Sequence, residues 1–224
     1  MSGVFAPHLS ILPPAQRRLW PALRDTAKLG CVLYGGTAIA LRLGHRSSID
    51  FDFFSGGTLD RPALAAALPF TRTATVLQDE RNMLTFLVNG AEAEADAVKL
   101  SFFALPDFGR VGEPEKTDDG VLAVASLADL LATKLKVVLQ RAEAKDYRDI
   151  AAMLRAGADL AHGLAGARAL FGPNFQPGEA LKALVYFDDG DLTSLGAGDR
   201  QILVQSARDV RNLPEVKLAA PDPA

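Results

Sequence analysis

The sequence predicts an α+β fold: a mixed β-sheet in the first half, flanked by helices, and a C-terminal helical region in the second, with the change near Gly120. Three observations predict it. Short apolar runs such as CVLY, NMLTFLV and AVKLSFF recur through residues 31–103 and read as strands. Two runs, from Ser126 to Ala142 and from Lys145 to Arg155, carry helical spacing. Between Tyr34 and Ser55 the chain reads in order as a strand end, a Gly-Gly-Thr turn, a short helix, a polar loop and a strand.

The elements follow in order. Residues 1–12 read as loosely ordered. Residues 14–29 read as a helix, with Leu19, Leu23 and Ala27 on one face and Gly30 as its stop; Pro21 alternatively starts a second short helix. CVLY is the first core strand. Its Cys31 is the only cysteine, which excludes an internal disulfide and a cysteine-based zinc site and leaves a small buried hydrophobe. Asp60 caps a helix over RPALAAAL that ends at Pro69. Strands are expected at 72–77, 82–88 and 97–103, with Asn89-Gly90 as a hairpin turn. Residues 104–120 read as a long loop, and VLAVA as a further short strand. Ser126 is the N-cap of the strongest helix, and a second follows from Lys145 to a stop near Gly157. Residues 159–213 read as three or so short helices. The expected organisation is a core over 1–120 with an N-terminal helix, a helical region over 121–213 that completes a cleft, and a disordered tail over 214–224.

Composition narrows the function. A chain of 224 residues, 49% hydrophobic and 23% charged, can bury a core and reads as soluble and globular. No apolar run approaches the ~18 residues of a membrane span, and the N-terminus lacks a basic-then-apolar export pattern. A cytoplasmic protein without a membrane partner is expected. The net charge of −3 offers no broad basic face for wrapping nucleic acid. A local patch of Arg17, Arg18, Arg42 and Arg46 keeps an RNA substrate open.

The chemistry concentrates at Tyr34–Ser55. Gly35 and Gly36 let backbone N–H groups approach an anion closely, and they open a helix, whose N-terminus favours phosphate. Asp50 and Asp52, two apart on a strand, point to one face. A lone Gly-Gly is a tight turn and a lone Asp-x-Asp is a solvated strand edge. Together, in this order, they suit Mg²⁺-assisted phosphoryl or nucleotidyl transfer.

Gly35-Gly36-Thr37, Leu41, Gly44, Arg46, Ser48, Asp50, Asp52 and Phe54 resemble the GGTAxxLxxGxRxSxDxDxF pattern of the AbiEii/AbiGii-type family. These nucleotidyltransferase-like proteins of abortive-infection and toxin–antitoxin systems belong to the superfamily with the DNA polymerase beta-like fold. The resemblance spans residues 32–154 and includes Lys134 and Lys145-Asp146-Tyr147-Arg148-Asp149. It implies a nucleotidyltransferase-type sheet with Asp50, Asp52, Lys134 and Asp146 as catalytic residues. Asp50 and Asp52 would be the ligands of Mg²⁺ or Mn²⁺, and Gly35, Gly36, Thr37, Arg46 and Ser48 the nucleotide-binding set. Periodicity alone makes Lys134 a solvated lysine and Asp146 a first-turn acid complementing the helix dipole; the resemblance reverses this for both and leaves Asp149 evenly balanced.

The implied reaction moves a nucleoside monophosphate from a nucleoside triphosphate to a tRNA-like RNA, a protein or a small-molecule acceptor. A cognate antitoxin is an implied partner. One departure matters. Where relatives would carry a third carboxylate, in the segment Val98-Lys99-Leu100-Ser101-Phe102, this chain has Ser101. Asp96 is the nearest substitute, but with Glu92 and Glu94 it reads as an exposed hairpin flank. The alternative is therefore a catalytically impaired nucleotide-binding or interaction module of the same fold.

Overall fold

The computed structural model describes residues 3–88 and 97–223. The strands are β1 (Val4–Phe5), β2 (Val32–Tyr34), β3 (Asp50–Ser55), β4 (Thr75–Glu80), β5 (Met83–Val88), β6 (Val98–Ala104), β7 (Glu115–Thr117) and β8 (Ala123–Val124). The α-helices are α1 (Pro14–Leu19), α2 (Gly35–Leu43), α3 (Arg61–Ala67), α4 (Leu127–Val137), α5 (Ala144–Arg155), α6 (Leu160–Phe171), α7 (Pro177–Val185) and α8 (Ala197–Asp209). The strands form one mixed sheet in the order β1-β7-β8-β2-β3-β6-β5-β4. The fold is α+β.

The centre of the sheet sets the geometry. β3 runs antiparallel to β2 and parallel to β6, and β6 runs antiparallel to β5. On β3, Phe51 and Phe53 are buried while Asp50 and Asp52 turn to the other face, the period-two alternation of a strand. Phe53 stacks on Phe102 of β6 at 5.2 Å, and Trp20 meets Phe51 at 6.5 Å. This apolar face fixes the register, because a one-residue slip would put both phenylalanines in the cavity and both aspartates in the core. On the opposite side α4 packs against α2, α5 and α6.

Several expectations change. The helix expected over 14–29 is α1 followed by a 3-10 stretch, Trp20–Leu29. Pro21 has no N–H to continue the α-helical ladder, so the chain tightens there. The strand expected from Arg72 begins at Thr75, after a 3-10 segment, Pro69–Thr73. The loop expected over 104–120 contains β7, and the first 12 residues contain β1, which pairs with it. β8 lies within VLAVA, the expected short strand, and by pairing parallel with β2 it carries the sheet past the boundary expected near Gly120. The stretch expected as a disordered tail runs back to the body: Arg110 bridges Ala220, and its Nη1 donates to Asp222 at 2.7 Å. Asn89-Gly90, Glu92, Glu94 and Asp96 lie outside the described residues. Ser126 and Asp60 cap α4 and α3 as expected.

Candidate active site

The turn between β2 and α2 has to be glycine for two separate reasons. Gly35 has φ +74°, and a Cβ there would stand 2.9 Å from Asp52 Oδ2. Gly36 has no room either, because a Cβ would collide with the Arg46 guanidinium. The start of α2 thus closely approaches the Asp52 carboxylate, though Gly35 and Asp52 are seventeen positions apart in the chain. Strand geometry brings Asp50 to the same face. Lys99 lies in register with Asp50, its Nζ 3.8 Å from the carboxylate. Ser101 lies in register with Asp52 and hydrogen-bonds its carboxylate.

Burial, together with the charge of Asp50, pushes the Asp52 carboxyl above its ordinary value, against the pull of Lys99, Ser101 and Lys134. Two anions therefore share one strand face with incomplete compensation. Among the described residues there is no cluster of three or more His, Cys, Asp or Glu that could hold a metal. The available donor set is these two hard carboxylates.

Behind the turn lies a buried ionic network. Asp146 and Asp149 are three apart on α5, so both face inward, and both are fully buried. Asp149 accepts from Arg46 Nε at 2.6 Å and Nη2 at 2.8 Å, meets His45 Nε2 at 2.8 Å, and pairs with Lys134 at 2.8 Å. Lys134 also reaches Asp146 at 2.5 Å, and Arg141 Nε donates to Asp146 at 2.8 Å. Burial would raise both carboxyls. Hydrogen bonds from Arg141, with the charge of Lys134, instead hold Asp146 below its usual range; His45 and Arg46 do the same for Asp149. The N-terminus of α5 is itself pinned, because Asp191 accepts from the Ala144 N–H at 2.6 Å.

A cavity of about 550 Å³ opens between the sheet and α4. Gly35, Gly36 and Asp52 line it on one side, with Lys134 and Arg141 above and Lys99 on β6. Three cations and a glycine turn thus face one pocket beside a carboxylate pair, an arrangement suited to a polyphosphate.

A family model described as nucleotidyl transferase AbiEii toxin, type IV toxin–antitoxin system, matches residues 18–172. The chain belongs to the AbiEii nucleotidyl transferase toxin family. An uncharacterized protein of Aquifex aeolicus (strain VF5) is 30% identical over 175 residues, covering 75% of this chain and 81% of its own. MenT4, a nucleotidyltransferase toxin of Mycobacterium tuberculosis H37Rv, superposes with a TM-score of 0.60 at 14% identity, covering 88% of this chain and 84% of its own. An antigenic nucleotidyltransferase-like protein of Paracoccidioides brasiliensis gives 0.53 at 15% identity, covering 92% and 94%. At such identities the two structures show a shared fold.

Within this AbiEii frame the residues singled out from sequence fall into two groups. Gly35, Gly36, Asp52 and Lys134 line the cavity, and Asp50 shares the face of Asp52. Thr37, Ser48, Arg46 and Asp146 stand behind it. The Thr37 hydroxyl bonds the Asp50 carbonyl and meets the Ser48 hydroxyl at 2.7 Å, so this pair ties the start of α2 to β3. Arg46 spends its fork on Asp149 and braces Gly36 from behind. Sequence reasoning left two cavity cations unassigned. Arg141 follows Lys134 by seven residues, a helical repeat, but α4 ends at Val137 and only the turn beyond it brings Arg141 to Asp146. Lys99 is two residues before Ser101, the spacing that puts it on the same strand face. Among the described residues no helix is long and apolar enough to cross a membrane.

Proposed function

We propose that this chain transfers a nucleoside monophosphate from a nucleoside triphosphate to a hydroxyl on an RNA, a protein or a small molecule. The observation that carries this is the contact of the Gly35-Gly36 turn with Asp52, under Lys134 and Arg141, in one cavity. The triphosphate lies along the open backbone at the start of α2, where N–H groups and the helix dipole favour it. Lys134 and Arg141, both held by Asp146, take the charge that develops on the leaving pyrophosphate. The acceptor oxygen forms a bond to the α-phosphorus as the bond from that phosphorus to the bridging oxygen breaks. Pyrophosphate leaves, and the hydroxyl proton passes to solvent.

Asp50 and Asp52 would hold a divalent cation, Mg²⁺ or Mn²⁺. Two carboxylates on one face, with the pKa of Asp52 raised by burial and then by the charge of Asp50, fit an ion that completes its shell with water and phosphate. When bound, such an ion neutralises phosphate charge and favours ionisation of the attacking hydroxyl. As a toxin of a type IV system, the chain is inferred to have a cognate antitoxin and to work in the cytoplasm.

Transfer of label from an α-³²P nucleoside triphosphate tests the reading. Label should reach an acceptor with the wild-type chain and not with Asp52→Asn. One observation favours a second reading: Ser101, not an acid, is in register with Asp52. A nucleotide-binding module predicts calorimetric binding of the triphosphate with no label transferred to any acceptor.

A further inference from the structure

The helical region carries an apolar groove apart from the candidate active site. It runs between α7 and α8, measures about 520 Å³ and is lined by Leu181, Lys182, Val185, Val204, Ala207 and Arg208. None of these lines the cavity over the sheet. Helical spacing produces it. Ala180 and Leu184 turn into the core from α7, which leaves Leu181 and Val185, four apart, on the flanking face. Leu203 is the buried residue of α8, and Val204, Ala207 and Arg208 form the row beside it. At the end of α7, Val185 is 41% exposed and Tyr186 52%. Aromatic and aliphatic surface left in water beside a groove marks an interaction site.

The surrounding charges fall into two sets. Arg208, on the groove, has no hydrogen-bond or ion-pair partner among the described residues, and Lys182 has only the exposed Glu179 three residues away, at 2.9 Å. Just past Tyr186, Asp188 and Asp189 are exposed and have no ion-pair partner among the described residues. One chain thus presents an aromatic followed by two free acids, and next to it an apolar groove edged by two bases. Within the chain these halves do not meet, because Tyr186 stays half in solvent and neither acid pairs with Lys182 or Arg208. We propose that the groove docks a second copy of this chain. Tyr186 of each protomer enters the other's groove, and Asp188 and Asp189 face Lys182 and Arg208 there. The docking segment and the groove adjoin at residues 185 and 186, so one two-fold axis beside Tyr186 makes both exchanges at once and closes the pair. Two acids on the segment and two bases on the groove set the orientation. The pairing stands apart from the nucleotidyl-transfer reading.

Sedimentation velocity of the full chain across the micromolar range tests the pairing. A monomer–dimer equilibrium is expected, weakened by added salt. Tyr186→Ser should raise the dimer Kd at least about tenfold, as the loss of a central aromatic does. Two charge-reversed chains sharpen the test: Lys182→Glu with Arg208→Glu, and Asp188→Lys with Asp189→Lys. Each alone sets like charges against each other across the axis and should be monomeric. Mixed, they should form a heterodimer, because each segment then meets a groove of opposite charge. All five sites are exposed, so thermal unfolding of the variants should stay close to that of the wild type. A chain that is monomeric at every concentration overturns the proposal and leaves the groove to a different partner. A dimer that survives Tyr186→Ser and both charge reversals also overturns it, as does a mixture of the reversed chains that stays monomeric.

Discussion

Two pairs of aspartates occupy neighbouring parts of this protein in different electrostatic surroundings. Asp50 and Asp52 share a strand face beside a cavity. Burial and mutual repulsion raise the carboxyl of Asp52, and Lys99 approaches Asp50 only to 3.8 Å. Asp146 and Asp149 share a helix face in the interior. Four basic side chains, Arg46, His45, Lys134 and Arg141, meet them, and both carboxyls are held low. The difference separates a pair beside the open cavity from a pair that builds its frame. A buried charge without partners is expensive, so the interior pair is fully partnered. Asp52 is compensated less completely, which fits the cation proposed for it.

The largest expected effect sharpens that contrast. Asp149→Ala takes from Arg46 its buried carboxylate, leaves Lys134 with Asp146 alone, and should cost about 3–5 kcal/mol in denaturant unfolding. A loss below about 1 kcal/mol, the value of a surface pair, would show that the network does not hold α2, α4 and α5 together. Asp52→Asn should behave in the opposite way. Label transfer should fall by about 10²–10³, while stability stays level or rises slightly as repulsion from Asp50 is relieved. An unfolding loss resembling that of Asp149→Ala would erase the distinction between the two pairs.

Gly36→Ala probes the boundary between them. The new methyl would displace the Arg46 guanidinium, at about 1–3 kcal/mol of overpacking, and should weaken triphosphate binding in calorimetry. Unchanged binding would mean that Arg46 does not shape the turn.

The smallest effect is the acid slope. Folded Asp146 and Asp149 have lowered pKa values, so their stabilisation is present above the ordinary carboxylate value of about 3.9 and is lost as pH falls through the folded values. Between pH 5 and 4 the loss should be about 0.5 kcal/mol, seen as a falling urea midpoint. Asp149→Asn should flatten the slope. Asp52 has the opposite sign: its raised pKa makes it more favourable to folding as pH falls, so Asp52→Asn should steepen the slope.

What the sequence by itself determined lies along the chain. Alternation at 50–53 put the aspartates on one face and the phenylalanines on the other. The Gly-Gly turn, the Ser126 and Asp60 caps and the helices bearing Lys134 and Asp146 were legible from local spacing and from the family pattern. The tertiary structure alone decided the partners. It made Arg46 a brace on Asp149, tied Thr37 and Ser48 to each other, brought Arg141 to Asp146, and set Lys99 and Ser101 beside Asp50 and Asp52. Periodicity reports which face a side chain takes. Which residue stands opposite depends on sheet register and helix packing between segments tens of residues apart, and those are fixed only when the whole core closes.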